Sequence, residues 1–152
     1  MNIEERLKEL GLEIPAAAAP AAMYVPVKQT GNLLFISGQI PVKDGVMQYT
    51  GKAGKDKTLE EAQAAARLCA INIIAALKGF TGDLDKVKSI VKITAFVASE
   101  TGFDKQHLVA NGASELLFDV FGEAGRHTRS AVAVNQLPLD ATVEVEAIVE
   151  VG

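Results

Sequence analysis

The side chains that could do chemistry crowd into one stretch, Gly125 to Glu150, which reads GRHTRSAVAVNQLPLDATVEVEAIVE. Arg129 supplies a guanidinium, Glu144 and Glu146 supply carboxylates that can take up or release a proton, and His127 stands two residues before Arg129. Each also has an ordinary reading: a structural arginine at a strand end, glutamates on a solvated sheet face, and a lone loop histidine at the surface or paired. The stretch predicts two strands, Arg129 to Val134 and Thr142 to Glu150, joined by a turn on Leu137-Pro138-Leu139-Asp140. Alternation in the second puts Val143, Val145, Ala147 and Val149 on one face and Glu144 and Glu146 on the other. One face wants a core; the other carries charge.

The elements that must position these groups follow from the rest of the chain. Ile3, Leu7 and Leu10 share a helical face that Gly11 and Pro15 close, and Pro15 to Ala22 reads as a Pro/Ala-rich connector. Tyr24 to Lys28 and Leu33 to Ser37 predict strands about a Gly31-Asn32 turn, with Gly38 marking a bulge or a close backbone approach. Val42 to Val46 predicts a tight turn before a poorly patterned stretch ending near Lys57. Thr58 and Glu61 form a capping box ahead of a helix whose stripe of Ala62, Ala66, Cys69, Ile73 and Ala76 suits close packing on a sheet, and Gly79 is the expected stop. Ser89 to Val97 alternates as a central strand; Phe103 to Gly122 carries a second helix through Leu108, Ala113, Leu116, Leu117, Val120 and Phe121. The order predicts an α+β domain, a mixed sheet with both long helices on one side.

Composition bounds the function. A chain of 152 residues with 49% hydrophobic and 22% charged residues fits one soluble domain, residues 1–152, with an N-terminal helix and connector over 1–19. The longest apolar runs, such as Ile71 to Leu77, fall short of a membrane span, and the N-terminus lacks the pattern of a secretion signal, so a cytoplasmic protein without a membrane partner is expected. Cys69 has no partner for a disulfide and reads as a small buried hydrophobe; with two histidines and no Cys/His cluster, no metal site is expected. A net charge of −4 and a pI near 5.2 give no footprint for nucleic acid.

The pattern RSAVxVxxLPxxAxVEVEA, together with GNLLFISGQIPV at Gly31 to Val42, resembles the Rid (reactive intermediate deaminase) or YjgF family, also labelled L-PSP endoribonuclease. The resemblance runs from about residue 20 to the end, which leaves the N-terminal helix as an addition in a divergent branch. It implies a chorismate-mutase-like fold, a six-stranded mixed sheet with two helices on one face, and a homotrimer whose sheets close into a barrel with clefts between subunits. It also implies that Arg129 holds the carboxylate of a small imine or keto acid, and that Glu144 positions or deprotonates a water.

By the same resemblance Tyr24 closes the pocket, Asn111 comes from the second helix after an apparent insertion of four residues beyond Phe103, and Ser37 and Gly38 line the cleft with backbone groups. Ala131 stands where relatives often carry a cysteine, which removes any thiol switch there but keeps the backbone. The implied activity is hydrolysis of reactive enamines and imines, such as 2-aminoacrylate, to 2-keto acids and ammonia, with no cofactor. The alternatives are a non-catalytic trimer that binds small carboxylates through Arg129 and, disfavoured by the acidic charge and scarce aromatics, an endoribonuclease.

Overall fold

The computed structural model describes residues 2–17 and 22–152; residues 18–21 of the Pro/Ala connector lie outside the described residues. Helix α1 (Ile3–Glu9) starts on a capping box between Asn2 and Glu5, and Leu7 is its buried contact with the core. Strands β1 (Val27–Thr30) and β2 (Leu33–Gln39) form the expected hairpin about Gly31, whose φ of 56° suits glycine. A two-stranded ribbon follows, β3 (Val42–Lys43) and β4 (Val46–Met47), turning on Asp44 and Gly45 at φ 53° and 77°.

Helix α2 (Leu59–Thr81) begins on the Thr58/Glu61 capping box and runs past Gly79 to a left-handed cap at Gly82. It is long and apolar enough to cross a membrane by length and composition, which the sequence reading had not expected. Its apolar stripe, from Ala62 through Cys69 to Leu77, is buried on the sheet and on α3, as in the core helix of a globular domain. Strands β5 (Val87–Ala98), β6 (Thr128–Val134) and β7 (Val143–Val151) complete the sheet, and helix α3 (Gln106–Phe121) crosses from β5 to β6.

Among the described residues the main sheet has five strands, not the six expected, in the order β1-β2-β7-β5-β6, and β3 and β4 pair with each other in a separate ribbon. Every pairing is antiparallel except β5 with β6, which is the geometry a helical crossover such as α3 permits. β6 and β7 follow one another in sequence, yet β5 lies between them. The first strand also starts later than predicted, at Val27, so Tyr24 sits in a bend ahead of it.

One face of the sheet packs on α2 and α3, through Leu34, Ile36, Ile93, Ala95, Val97, Val143, Val145 and Val149. The other leaves Phe35, Val91 and Val132 exposed. The two long helices approach closely at Gly112: a Cβ there would run into the backbone carbonyl of Gln63 on α2, and the Gln63 side chain donates to the Leu108 carbonyl at 3.0 Å. Gly112→Ala therefore sets two effects against each other. Helix propensity favours alanine by about 1 kcal/mol, whereas overpacking against fixed backbone costs roughly 1–3 kcal/mol. With backbone as the obstacle, a net loss of stability is expected in urea unfolding, and a gain would show that α2 and α3 can separate freely.

Candidate active site

Two groups of candidate residues stand on opposite faces of the sheet. On β6, Arg129 pairs with Ile93 and Ala131 with Ala95, both core residues, so Arg129 and Ala131 point to the helix side. There Arg129 meets α3: Nη1 donates to Asn111 Oδ1 at 2.8 Å and to Ser114 Oγ at 3.0 Å, and Nη2 donates to the His107 carbonyl at 2.8 Å. Three of the five guanidinium N–H donors are thereby used, leaving the Nε–H and one on Nη2 for a ligand. The sequence reading joined Arg129 to Asn111 only through resemblance; the structure puts them in direct contact.

Ser114 and the His107 carbonyl were missed. A signal for both existed, since Ser114 is i+3 and His107 i−4 from Asn111 and so fall on the same helix face. His127 stands beside Ser114, with Nε2 and Oγ 2.9 Å apart, and its Nδ1 lies 2.7 Å from the Gly125 carbonyl. Burial holds its pKa below the ordinary histidine value, and the positive charge of Arg129 acts the same way against the opposing pull of the Gly125 bond. A groove of about 480 Å³ runs along Ser114, Phe118, Gly125, His127 and Arg129.

The second group lies on the open face. Between the pairs Ile36–Ala147 and Gln39–Val145, both Ser37 and Gly38 oppose the single residue Glu146, which is a β-bulge. The bulge brings the Gly38 backbone against the Glu144 side chain, where an added Cβ would collide with the carboxylate. Both readings of Gly38, bulge and close approach, are therefore met. Ser37 Oγ donates to the Val25 carbonyl at 2.7 Å and its backbone N–H to the Pro26 carbonyl at 2.9 Å, which ties down the segment bearing Tyr24. Tyr24, Ser37, Lys92, Thr94 and Glu146 border a groove of about 560 Å³ on this face.

Glu144 is half-buried and makes no hydrogen bond or ion pair among the described residues. Its pKa is raised from the usual carboxylate value, by burial first and by the neighbouring charge of Glu146 second. Glu144 pairs with Phe96, which in turn pairs with Val132, whereas Arg129 lies three residues before Val132 on a strand two places away. By strand spacing that is about 10 Å across the sheet and about 10 Å along it, and through the sheet besides. Within one chain the two groups stay apart. Among the described residues no cluster of three or more His, Cys, Asp or Glu could hold a metal ion, and Cys69 is fully buried with its thiol pKa pushed up by that burial.

Residues 4–151 match the family described as "YjgF/chorismate_mutase-like, putative endoribonuclease". The chain belongs to the YjgF family. Because the match begins within α1, the N-terminal helix is not outside the family's reach as the sequence reading had it. The chain is 48% identical over 152 residues to Protein TCP17 of Trypanosoma cruzi, covering 99% of this chain and 95% of that one. It is 34% identical over 134 residues to the 2-iminobutanoate/2-iminopropanoate deaminase of Escherichia coli, covering 88% and 89%. The crystal structure of Atu1372 from Agrobacterium tumefaciens, a protein of unknown function, superposes with a TM-score of 0.92 at 50% identity, over 99% of this chain and 92% of that one.

The unpartnered Glu144 has a consequence for stability. A carboxyl with a raised folded-state pKa costs nothing while protonated in both states, and costs stability once pH rises past the unfolded value and ionisation is resisted only in the fold. Glu144→Gln is thus expected to be more stable than the parent at pH 7 and equal to it below about pH 4, near the unfolded carboxylate range. Urea unfolding at the two pH values checks this; an equal or lower stability of the glutamine variant at pH 7 would show that Glu144 ionises without strain.

Proposed function

We propose that this protein hydrolyses small carboxylate-bearing enamines and imines, of the 2-aminoacrylate type, to 2-keto acids and ammonia. The observation that carries the reading is the arginine: a guanidinium fixed by three contacts to α3 with two donors left over is built to hold something planar and anionic. An E. coli relative at 34% identity named 2-iminobutanoate/2-iminopropanoate deaminase supports the substrate class. The free Nε–H and Nη2–H grip the two carboxylate oxygens and set the plane of the C=N group.

In this reading the enamine tautomerises to the imine, and a water held by Glu144 adds to the C=N carbon to give a carbinolamine. Glu144 takes the first water proton and passes it to nitrogen as the carbinolamine forms; it then takes the carbinolamine hydroxyl proton and passes that to nitrogen too, so the C–N bond breaks and ammonia leaves as the C=O bond of the keto acid forms. The raised pKa of Glu144 suits a group that must both accept and donate. Tyr24, Ser37 and Gly38 border the Glu144 side of the cleft; Asn111 and the Ala131 backbone border the Arg129 side.

Since one chain keeps the halves apart, the working site lies between neighbouring copies, with the β6 edge of one against the open sheet face of the next. A homotrimer satisfies this and covers Phe35, Val91 and Val132. Sedimentation is expected to give a trimer of the 16.0 kDa chain at micromolar concentration; a stable monomer with full activity would sink the shared site.

Paired substitutions test the chemistry. Arg129→Ala is expected to weaken binding of a keto acid by roughly 2–4 kcal/mol, the range for losing a buried charge-assisted pair. Glu144→Gln keeps shape but cannot take a proton, so imine turnover is expected to fall by about 10² or more while keto-acid binding stays close to the parent. The assay couples a pyridoxal-dependent dehydratase, which generates 2-aminoacrylate, to pyruvate appearance. Keto-acid binding through Arg129 without turnover would make the protein a carboxylate-binding trimer instead.

A further inference from the structure

We propose that His127 is a positioning residue for Arg129, acting through the hydroxyl of Ser114. The inference rests on the reading of Arg129 as the carboxylate holder. Its geometry fixes the direction of every hydrogen bond. The Gly125 carbonyl can only accept, so the proton of the neutral imidazole sits on Nδ1 and is donated across 2.7 Å. Nε2 is then an acceptor, and the Ser114 hydroxyl donates to it across 2.9 Å. With its one proton committed, Ser114 Oγ faces Arg129 purely as an acceptor and takes the Nη1–H at 3.0 Å.

Without such a partner a helical serine tends to turn its hydroxyl back onto a carbonyl of the preceding turn. His127 removes that alternative, and with it one of the ways the guanidinium could rotate out of plane. The histidine is itself held at both ends by α3. Ser114 belongs to that helix, and Gly125 lies directly on its backbone: a Cβ at Gly125 would collide with the Leu117 carbonyl and stand 3.1 Å from the Phe118 Cα. The Gly125 carbonyl is therefore a fixed stop for the imidazole. Burial holds the His127 pKa below the ordinary histidine value, the direction that favours the neutral ring used by the relay.

The test uses the full-length protein with pyruvate as an unreactive ligand and 2-aminoacrylate as substrate. Ser114→Ala and His127→Leu are each expected to raise the pyruvate Kd and the KM by about 3- to 10-fold, the effect of loosening one contact that positions the guanidinium, with kcat changed less. The double variant should be no worse than either single one, because both break the same chain. His127→Gln, whose amide oxygen can accept from Ser114, should recover most of the affinity. The ¹⁵N spectrum of the parent at pH 7 should show His127 as the neutral Nδ1–H tautomer.

Additive effects, a glutamine variant as weak as the leucine one, or an Nε2–H or doubly protonated ring would overturn the relay. If the single variants leave Kd unchanged while Arg129→Ala raises it, the relay fails and the carboxylate reading stands. If Arg129→Ala also leaves Kd unchanged, the carboxylate reading fails, and the tautomer still decides whether the relay exists.

Discussion

The structure depends on how closely the backbone of α3 is approached from two directions. Gly112 lets α3 touch the Gln63 carbonyl of α2, and Gly125 lets the following turn lie on the Leu117 carbonyl. These contacts leave the helix little freedom to roll or slide. The residues it presents to Arg129, namely Asn111 Oδ1, Ser114 Oγ and the His107 carbonyl, then occupy fixed points about one turn apart. A guanidinium loses a great deal of rotamer freedom when it is pinned, and here rigid backbone packing supplies the framework that makes the pinning possible.

Strand alternation imposes the opposite constraint on the acid. Val143, Val145 and Val149 must face the helices to complete the core, so Glu144 must face away. Arg129 shares its face with Ala131, which packs on that core, and therefore faces the helices. With Ala131 and Val143 both on the helix side, Arg129 and Glu144 stand on opposite faces of the sheet within one chain. The proposed hydrolysis therefore calls for assembly to join them, and the exposed Phe35, Val91 and Val132 leave an apolar patch on the open face.

Most of the fold was legible because its signals are local. The Thr58/Glu61 capping box, the alanine stripe of α2, the Gly31 hairpin and the alternation of β5 and β7 each depend on residues a few positions apart. What escaped depends on partners chosen at long range. Nothing in Leu137-Pro138-Leu139-Asp140 says that β5 will insert between β6 and β7, since a short connection fits neighbouring strands equally well; Leu139 and Asp140 at φ 57° and 59° carry the chain across instead. Gly79 and Gly82 offer the same stop signal, and the helix runs on to the second, where Gly82 takes a φ of 73°. Of the candidate site, Arg129, Asn111, Glu144, Ser37 and Gly38 came from motif resemblance; Ser114 carried no motif and became visible only once Asn111 had been placed on a helix face.

The two halves also differ in energetic character. Around Arg129 a chain of polar contacts runs from guanidinium to amide, hydroxyl and carbonyl, from hydroxyl to imidazole, and from imidazole to carbonyl. Around Glu144 no such chain runs among the described residues, because a half-buried carboxylate without a donor sits beside a second carboxylate and against the bare backbone of Gly38. A satisfied network fixes geometry, and an unsatisfied acid retains a proton affinity that changes with whatever enters the site. A lysine at position 146 would set a positive charge beside Glu144 in place of a second carboxylate, whereas position 38 has no room for any side chain. This local conflict falls on the residue that the proposed hydrolysis requires to exchange a proton with water.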